Sequence, residues 1–458
     1  MIRCIFIAHV GTIAISKKNV MIRTNSNHPI ILAAIIIVAF TLTCCTGNNW
    51  PQFRGPDNNM IVTGKNLPAE WGEDMNVRWT YEMNGDSWSS PVVWGNRVFV
   101  ASAFPQKELP LPEEDRSNLE DVYRWQVACV DIKTGAELWK QVAFEGNPRI
   151  SKHSATNYAG ETPVTDGKRL YVYFGMTGLY CYDLDGELLW EKDLGAYETQ
   201  RGWGTGSSPL IYRGVLYVQV DNEESSFLVA IDSETGEEIW KIARDEKTNY
   251  NTPVIWKNRV RTELVTGGKK ARGYDPETGE LLWELAMAGH YTIPSAVSDR
   301  DHLFIGNEGH RDIPSTLFAV KAGASGDITP AEGEEESSGV VWSSLDAPTG
   351  RPSPLLYDGL LYLLSSRGGK ISCLEAATGE IIYQEKIEKV GACWASPWVY
   401  DGNIYFFDEK GVTNVIKAGR EFEVLHQNRL DDKFWASVAV AGDAYLIKGV
   451  ERLYCIGN

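Results

Sequence analysis

Short runs of apolar residues, separated by turns that contain Gly, Asp or Asn, recur along the chain from about residue 76 to its end. The clearest unit opens at Ser208-Pro209, continues through apolar runs at residues 216–220 and 228–232, and closes around Trp240. Apolar runs of this length between turn residues are typical of buried β-strands. The unit therefore predicts four antiparallel strands.

The same unit recurs eight times. Its openings are marked by Pro91, Pro163, Pro209, Pro253, Pro294, Pro354 and Pro397, with Val438 in the same place in the eighth copy. Five of the seven intervals are 41 to 46 residues long, the length of a four-stranded propeller blade. The pattern predicts an all-β, eight-bladed β-propeller of four-stranded antiparallel blades, with seven blades as the alternative. The two longer intervals contain residues 105–124 and 322–339, which are predicted to be surface loops.

Three units end on a turn of the form Asp-x-x-Thr-Gly with a Trp four residues after the Gly, and the other units have shortened or degenerate copies, such as Asp183-Leu-Asp-Gly186 before Trp190. The Asp side chain can accept backbone N–H groups in such a turn, and Gly can adopt the positive φ that it requires. A Trp on the last strand can then be buried against the neighbouring blade. We predict this inter-blade structural role for Trp79, Trp139, Trp190, Trp240 and Trp283.

The eighth unit ends before its outer strand. A segment with the matching pattern, residues 76–82 around Trp79, lies just before the first unit. We expect this N-terminal strand to complete the last blade, because an unpaired sheet edge favours aggregation and a closed ring removes it.

The Asp-x-x-Thr-Gly-x-x-x-Trp turns resemble the repeats of the pyrroloquinoline-quinone-like (PQQ-like) β-propellers. The resemblance covers about residues 76–458, and the lead-in Trp50-Pro-Gln-Phe-Arg-Gly-Pro56 is similar to that of a bacterial branch whose function is mostly unassigned. The family includes quinoprotein alcohol dehydrogenases and the lipoprotein of the outer-membrane β-barrel assembly machine, so the resemblance implies the fold and not one activity.

The chain is more similar to the lipoprotein branch than to the dehydrogenases. Quinoprotein dehydrogenases carry a vicinal disulfide, a calcium ion bound by a carboxylate and Asn, and a catalytic Asp, whereas the one adjacent cysteine pair here is Cys44-Cys45. No catalytic residues, metal site or cofactor are predicted, with PQQ and Ca²⁺ as the alternative. The glycine-rich stretch at residues 202–206 lies beside strands and is interpreted as a tight turn.

The N-terminus has the pattern of an export signal. An apolar run at residues 30–42 precedes Leu42-Thr43-Cys44-Cys45, which resembles a lipobox. We predict a signal peptide over residues 1–44, with Met21 as a possible true start, and a lipid on Cys45, with Cys44 as the alternative. Residues 45–75 would form a lipidated tether and lead-in, and residues 76–458 the propeller. An uncleaved anchor is disfavoured because the run is shorter than a bilayer-spanning helix.

Charge narrows the range of partners. Residues 1–44 contain four basic residues and no acidic residue, so their removal changes the formal net charge from −17 to −21. Such a surface repels the phosphates of nucleic acids and anionic lipids, so no nucleic-acid partner is expected. Membrane contact is expected through the lipid only.

Four cysteines occupy one repeat position, where other blades have Ala or Gly: Cys129, Cys181, Cys373 and Cys455. The interchange indicates a site that requires a small side chain, and a structural role is favoured.

One set of equivalent positions carries different side chains in different blades. Inner strands of a propeller line its central channel, so the residues three before each opening should surround one mouth of that channel. Two are Gly160 and Gly206, and the others are candidate ligand-binding residues: Trp88, Tyr250, Tyr291, Arg351, Trp394 and Trp435. Aromatic faces and a guanidinium can stack a planar ligand or hold an extended peptide. The alternative is that these side chains only fill the funnel.

The sequence favours a non-catalytic, lipid-anchored scaffold of the bacterial cell envelope, on the periplasmic side of the outer membrane. Its expected partner is an envelope protein or peptide, or a small planar ligand. The alternative is a periplasmic oxidoreductase that depends on PQQ and Ca²⁺.

Overall fold

The structure is a computed structural model that describes residues 49–85, 87–107, 118–287, 292–309, 314–347 and 349–458. Eight sheets, each with four antiparallel strands and one of them with a fifth, parallel strand, form a ring in which the inner strands of neighbouring blades lie side by side. The eight-bladed propeller predicted from the sequence is confirmed. In these ranges, no helix is long and apolar enough to cross a membrane.

The blades are numbered in chain order and their strands run from the channel outward. In blades 1 to 4 the strands are Val92–Trp94, Arg97–Pro105, Tyr123–Asp131 and Glu137–Gly146; Val164–Thr165, Arg169–Tyr173, Leu179–Asp183 and Leu188–Lys192; Leu210–Tyr212, Val215–Val220, Phe227–Asp232 and Glu238–Ala243; and Val254–Lys257, Thr262–Thr266, Lys270–Tyr274 and Leu281–Ala286. In blades 5 to 8 they are Val297–Ser298, His302–Asn307, Thr316–Lys321 and Val340–Ser344; Leu355–Tyr357, Leu360–Leu364, Lys370–Glu375 and Ile381–Lys386; Trp398–Tyr400, Asn403–Phe407, Val412–Lys417 and Val424–Arg429; and Ala439–Ala441, Ala444–Lys448, Arg452–Ile456 and Val77–Glu82. Two short 3-10 helices span Gly175–Thr177 and Gln200–Gly202.

The last blade is completed by the N-terminal strand. Val77–Glu82 pairs antiparallel with Arg452–Ile456, and Trp79 lies opposite Cys455. The closure predicted from the sequence is confirmed. It ties the two ends of the propeller to one sheet.

A ring of buried hydroxyl groups links the inner strands. Just before most inner strands, a Ser or Thr donates its backbone N–H to the hydroxyl of its counterpart in the next blade. The bonds run from Ser90 to Thr162, Thr162 to Ser208, Ser208 to Thr252, Thr252 to Ser295, Ser295 to Ser353, Ser396 to Ser437 and Ser437 to Ser90. The last bond closes the ring between blades 8 and 1.

The hydroxyl ring corrects the opening of blade 5. Ser295 occupies the ring position there, so Ala296 stands where six other blades have Pro and blade 8 has Val438. The inner strand therefore begins two residues later than Pro294 predicts.

The repeated tryptophans connect neighbouring blades. The indole N–H of Trp79 donates to the carbonyl of Ile132 in blade 1 at 2.9 Å, and that of Trp139 donates to Leu184 in blade 2 at 2.9 Å. Each acceptor directly follows the turn Asp. A Cβ added to Gly135 of the turn would lie 2.7 Å from the Trp79 ring, so the indole covers the turn Gly closely. The same contact with a turn Gly is made by Trp139, Trp190, Trp240 and Trp342.

Blade 4 departs from this arrangement because an insertion covers its outer edge. Gly326–Asp327 pairs in parallel with Leu281–Ala286, and Ile328 is buried. Trp283 is fully buried and donates its indole N–H to the carboxylate of Glu263 in its own blade. The prediction that residues 322–339 form a surface loop was therefore wrong in part. The sequence has no apolar run in this insertion because a two-residue strand and one buried Ile are enough to cover the edge of blade 4.

The lead-in segment lies against the propeller. Trp50 and Val93 exchange backbone hydrogen bonds in blade 1, and Val62 donates its N–H to Val399 in blade 7. Arg54 is 1% exposed and donates to the carbonyls of Ala296 at 3.1 Å and Pro354 at 2.7 Å. The segment thus crosses the face that bears the Asp-Thr-Gly turns. We call the opposite face, where the inner strands begin, the mouth face. Residues 45–48 of the predicted tether, Cys45 included, lie outside the described residues.

The channel mouth as candidate functional site

Two of the predicted mouth positions, Trp88 and Tyr250, are held by backbone hydrogen bonds to the next blade. The N–H of Trp88 donates to the carbonyl of Ala159 at 3.1 Å, and that of Tyr250 donates to Thr292 at 2.9 Å. These bonds place equivalent residues of successive blades at the same height on the mouth face. What differs from blade to blade is the side chain.

Four of the six candidate residues form a continuous row, which we call the aromatic row. The ring centroids of Trp88 and Trp435 are 4.8 Å apart, and those of Trp435 and Trp394 are 6.4 Å apart. The guanidinium of Arg351 lies over the Trp394 ring at 4.3 Å. Both Trp pairs are edge to face, a favourable geometry for aromatic contacts. The row crosses blades 1, 8, 7 and 6, and its side chains are half-buried.

Two acidic residues that the sequence did not suggest hold the row in place. Glu308 accepts from Arg351 Nε at 2.9 Å and from the Ser366 hydroxyl at 2.5 Å. Glu409 accepts the indole N–H of Trp394 at 3.3 Å. Because Arg351 is bonded at its edge by Glu308, its flat face is kept against Trp394.

One polar group of the row has no partner. The indole N–H of Trp435 is buried and meets no acceptor among the residues that the structure describes. A buried donor without an acceptor costs about 1–3 kcal/mol. The described residues therefore leave this N–H unsatisfied.

Tyr250 is not part of the row. Tyr250 lies on the far side of the mouth, where a Cβ added to Gly206 would be 3.4 Å from its ring. Tyr291 lies outside the described residues, as do His290 and His310. The corrected opening of blade 5 assigns its mouth position to Ile293.

A small cavity lies on the side of the mouth that carries Gly160 and Gly206. It has a volume of about 40 Å³ and is lined by the glycine-rich loop around Gly204 and by Glu161. Glu161 is 2% exposed and accepts a short hydrogen bond from the Thr205 hydroxyl. Burial raises the pKa of Glu161 to about 7. A single Glu two residues before a Pro gave no sequence signal, although the same position in other blades is uncharged.

Metal-binding and reactive groups are scarce in the described part of the chain. No three His, Cys, Asp or Glu side chains come together there as metal ligands. The described cysteines, Cys129, Cys181, Cys373, Cys393 and Cys455, are buried and unbridged. Burial raises the pKa of Cys129 to about 12, so its thiol stays protonated at neutral pH.

Comparisons with known proteins agree with the fold. A family model described as outer membrane protein assembly factor BamB matches residues 124–301. The resemblance to PQQ-like propellers is confirmed. The assembly factor BamB of Yersinia pestis is 21% identical over 276 residues, which cover 48% of this chain and 68% of that protein.

Solved structures with this architecture include two dehydrogenases. A europium-containing methanol dehydrogenase matches with a TM-score of 0.59 and 11% identity over 88% of this chain and 90% of its own. The quinohemoprotein alcohol dehydrogenase of Comamonas testosteroni matches with a TM-score of 0.61 and 11% identity over 90% and 80%. At this identity the likeness shows the fold alone.

Proposed function

We propose that this protein is a non-catalytic scaffold of the bacterial cell envelope, lipid-anchored through Cys45, that binds an extended peptide segment of an envelope protein at the aromatic row. The observation that carries the proposal is the row itself. Trp and Arg are the residue types that dominate binding energy at protein interfaces, and here three Trp and one Arg are contiguous and half-buried.

Two further features favour a peptide. The unpartnered N–H of Trp435 can donate to a peptide carbonyl, which would remove the cost of leaving it buried and unbonded. Glu409 lies beside the row, and the chain has a net charge of −17, so a cationic segment is favoured. The sequence relative is named as an assembly factor of outer membrane proteins, which is consistent with a protein partner.

Site-specific crosslinking in native envelopes tests this proposal. A photo-crosslinking amino acid at Lys410, an exposed residue next to Glu409, should capture a discrete partner, whereas the same group at Glu234, an exposed residue on the opposite face, should not. Trp435→Ala, combined with the crosslinker at position 410, should reduce capture at least tenfold. Equal capture from both positions, or capture that is insensitive to Trp435→Ala, would contradict binding at the row.

Metabolic labelling with palmitate tests the anchor separately. The label should be lost in Cys45→Ala and retained in Cys44→Ala. The reverse result would move the lipid to Cys44, and labelling of neither form would exclude a lipoprotein.

The rival function is a PQQ- and Ca²⁺-dependent oxidoreductase. It is considered because two dehydrogenase structures share the fold. The geometry of the aromatic row disfavours such a site. The Trp88 and Trp435 rings touch edge to face and leave no parallel gap for a flat quinone, and no cluster of acidic ligands accompanies them in the described ranges. Titration of the full chain with PQQ and Ca²⁺, followed by a dye-linked alcohol oxidation assay, decides the matter. Saturable binding with turnover would establish the rival.

A further inference from the structure

The cavity under the glycine-rich loop lies between blades 2 and 3, apart from the aromatic row. Its walls include the rings of Tyr158, Tyr173 and Tyr197. A Cβ added to Gly175 would lie 2.4 Å from the Thr205 hydroxyl oxygen and 3.3 Å from a Glu161 carboxylate oxygen. Glycine at this position therefore keeps space open beside the carboxylate.

The acid in this cavity is an exception within the repeat. The residue that follows the mouth position is Ser, Asn, Pro or Ala in the other seven blades: Ser89, Ser207, Asn251, Pro294, Pro352, Ala395 and Ala436. The propeller therefore does not require a carboxyl group there. Glu161 forms no ion pair with any described residue, and a buried carboxylate without a counter-charge is costly. An acid that the repeat does not require, with open space beside it and no cationic side chain paired with it, is a candidate counter-ion for a ligand.

Size and chemistry limit what that ligand can be. By the same measure, a water molecule needs about 10–15 Å³, so a cavity of about 40 Å³ holds about three non-hydrogen atoms. Glu161 is the one acid of the lining, which is too few carboxylates for a divalent cation. A carboxylate among aromatic faces suits a monovalent cation that can donate hydrogen bonds.

We propose that this cavity binds a primary ammonium group, with the Glu161 carboxylate as its counter-ion. The group can belong to a free alkylamine or to a lysine side chain of a peptide held at the mouth. The second form rests on the proposed function, and the first does not.

No other titratable side chain of the lining can serve as the negative counter-ion in place of Glu161. Burial raises the pKa of Tyr158 and Tyr173, so their phenols are neutral at pH 7, and Tyr197 is the third phenol. Lys152 also lines the cavity, with its ammonium 6.0 Å from the Tyr158 ring. If Lys152 were the occupant, the Lys152→Ala variant would bind an added amine more tightly than the unaltered chain does, and this result would overturn the proposal of an external ligand.

Calorimetry of the detergent-solubilised full chain with ethylammonium chloride tests the free-amine form. Binding at pH 8 is expected, with proton uptake by the buffer as pH approaches 7. Apparent affinity should fall at least tenfold between pH 8 and pH 5.5, because protonation removes the binding-competent carboxylate. Glu161→Gln should bind at least tenfold more weakly, whereas Glu198→Gln, which removes an exposed acid from the same face, should bind as the unaltered chain does.

Ethanol and potassium chloride are the matched ligands, since ethanol has the size without the charge and potassium has the charge without the N–H donors. Binding of either one as tightly as ethylammonium would overturn the assignment, and so would unchanged binding in Glu161→Gln. An acetylated pentapeptide with a central lysine, compared with its acetyl-lysine form, tests the peptide source. The Trp394→Ala, Trp435→Ala double variant should lose the peptide and keep ethylammonium. In the unaltered chain, binding of ethylammonium without binding of the peptide would contradict the proposed function and leave the amine site standing, whereas binding of neither ligand would overturn the amine site itself.

Discussion

The two sides of the channel mouth use one backbone position in opposite ways. In blades 1, 8 and 7 the position holds Trp88, Trp435 and Trp394, whose rings are in contact. In blades 2 and 3 it holds Gly160 and Gly206, and a cavity with a buried acid lies beside them. Because the backbone is the same, side-chain volume decides where the mouth is filled and where it is open. Functional differences in such a repeat are therefore found by comparing equivalent positions across blades.

Removing the closing strand should break the aromatic side most severely. Deletion of residues 77–82 leaves blade 8, which carries Trp435 at its mouth position, without its outer strand. It also removes the contact of Trp79 with Gly135. We expect the melting temperature to fall by at least about 10 °C, since several kcal/mol are lost. Deletion of the exposed residues 333–336 is the control and should shift it by less than about 2 °C. An unchanged melting temperature after the first deletion would contradict the closure.

The open side should show its buried acid in the pH dependence of stability. The pKa of Glu161 is raised to about 7 from an ordinary value of 4.5, so the folded chain retains a proton that the unfolded chain releases. This contribution is complete below about pH 4.5 and is lost as pH rises through about 7. We expect the unaltered chain to lose about 3 kcal/mol relative to Glu161→Gln between pH 4.5 and pH 8. Denaturant unfolding of both variants at both pH values measures the difference. If the free energies of unfolding of the two variants changed equally with pH, a raised pKa of Glu161 would be contradicted.

Replacing each mouth glycine by alanine should cost different amounts of stability at Gly160 and at Gly206. A Cβ at Gly160 would lie 2.9 Å from the carbonyl oxygen of Thr205, whereas one at Gly206 would lie at an ordinary 3.4 Å from Tyr250. Gly160→Ala should cost about 2 kcal/mol because a backbone atom must move. Gly206→Ala should change stability by less than about 1 kcal/mol. Similar costs in urea unfolding would mean that the backbone around Thr205 gives way.

The sequence predicted the features that depend on local order, and it missed those that depend on distant contacts. Strand, turn and Trp follow one another within each unit, so the blades and the closing strand around Trp79 could be recognised. Blade 5 was misplaced because Pro294 precedes the hydroxyl ring position instead of following it. Arg54 bonds to carbonyls about 240 and 300 residues away, and such contacts leave no local pattern. Glu161 stands out only once the blades are aligned, and alignment needs the register that the hydroxyl ring supplies.

The smallest expected effect is the coupling between Arg351 and Trp394, which decides whether the aromatic row is one unit. The guanidinium lies 4.3 Å from the ring and is about one quarter exposed, so the cation–π contact should be worth about 0.5–1 kcal/mol. A double-mutant cycle with Arg351→Gln and Trp394→Leu measures it. The matched cycle pairs Arg351→Gln with Trp88→Leu, two positions separated by blades 7 and 8, and should give no coupling. Because Glu308 also bonds Arg351, the first cycle is repeated in Glu308→Gln. Coupling that persists there belongs to the ring contact, and coupling that disappears shows that Glu308 is needed to hold the guanidinium against Trp394.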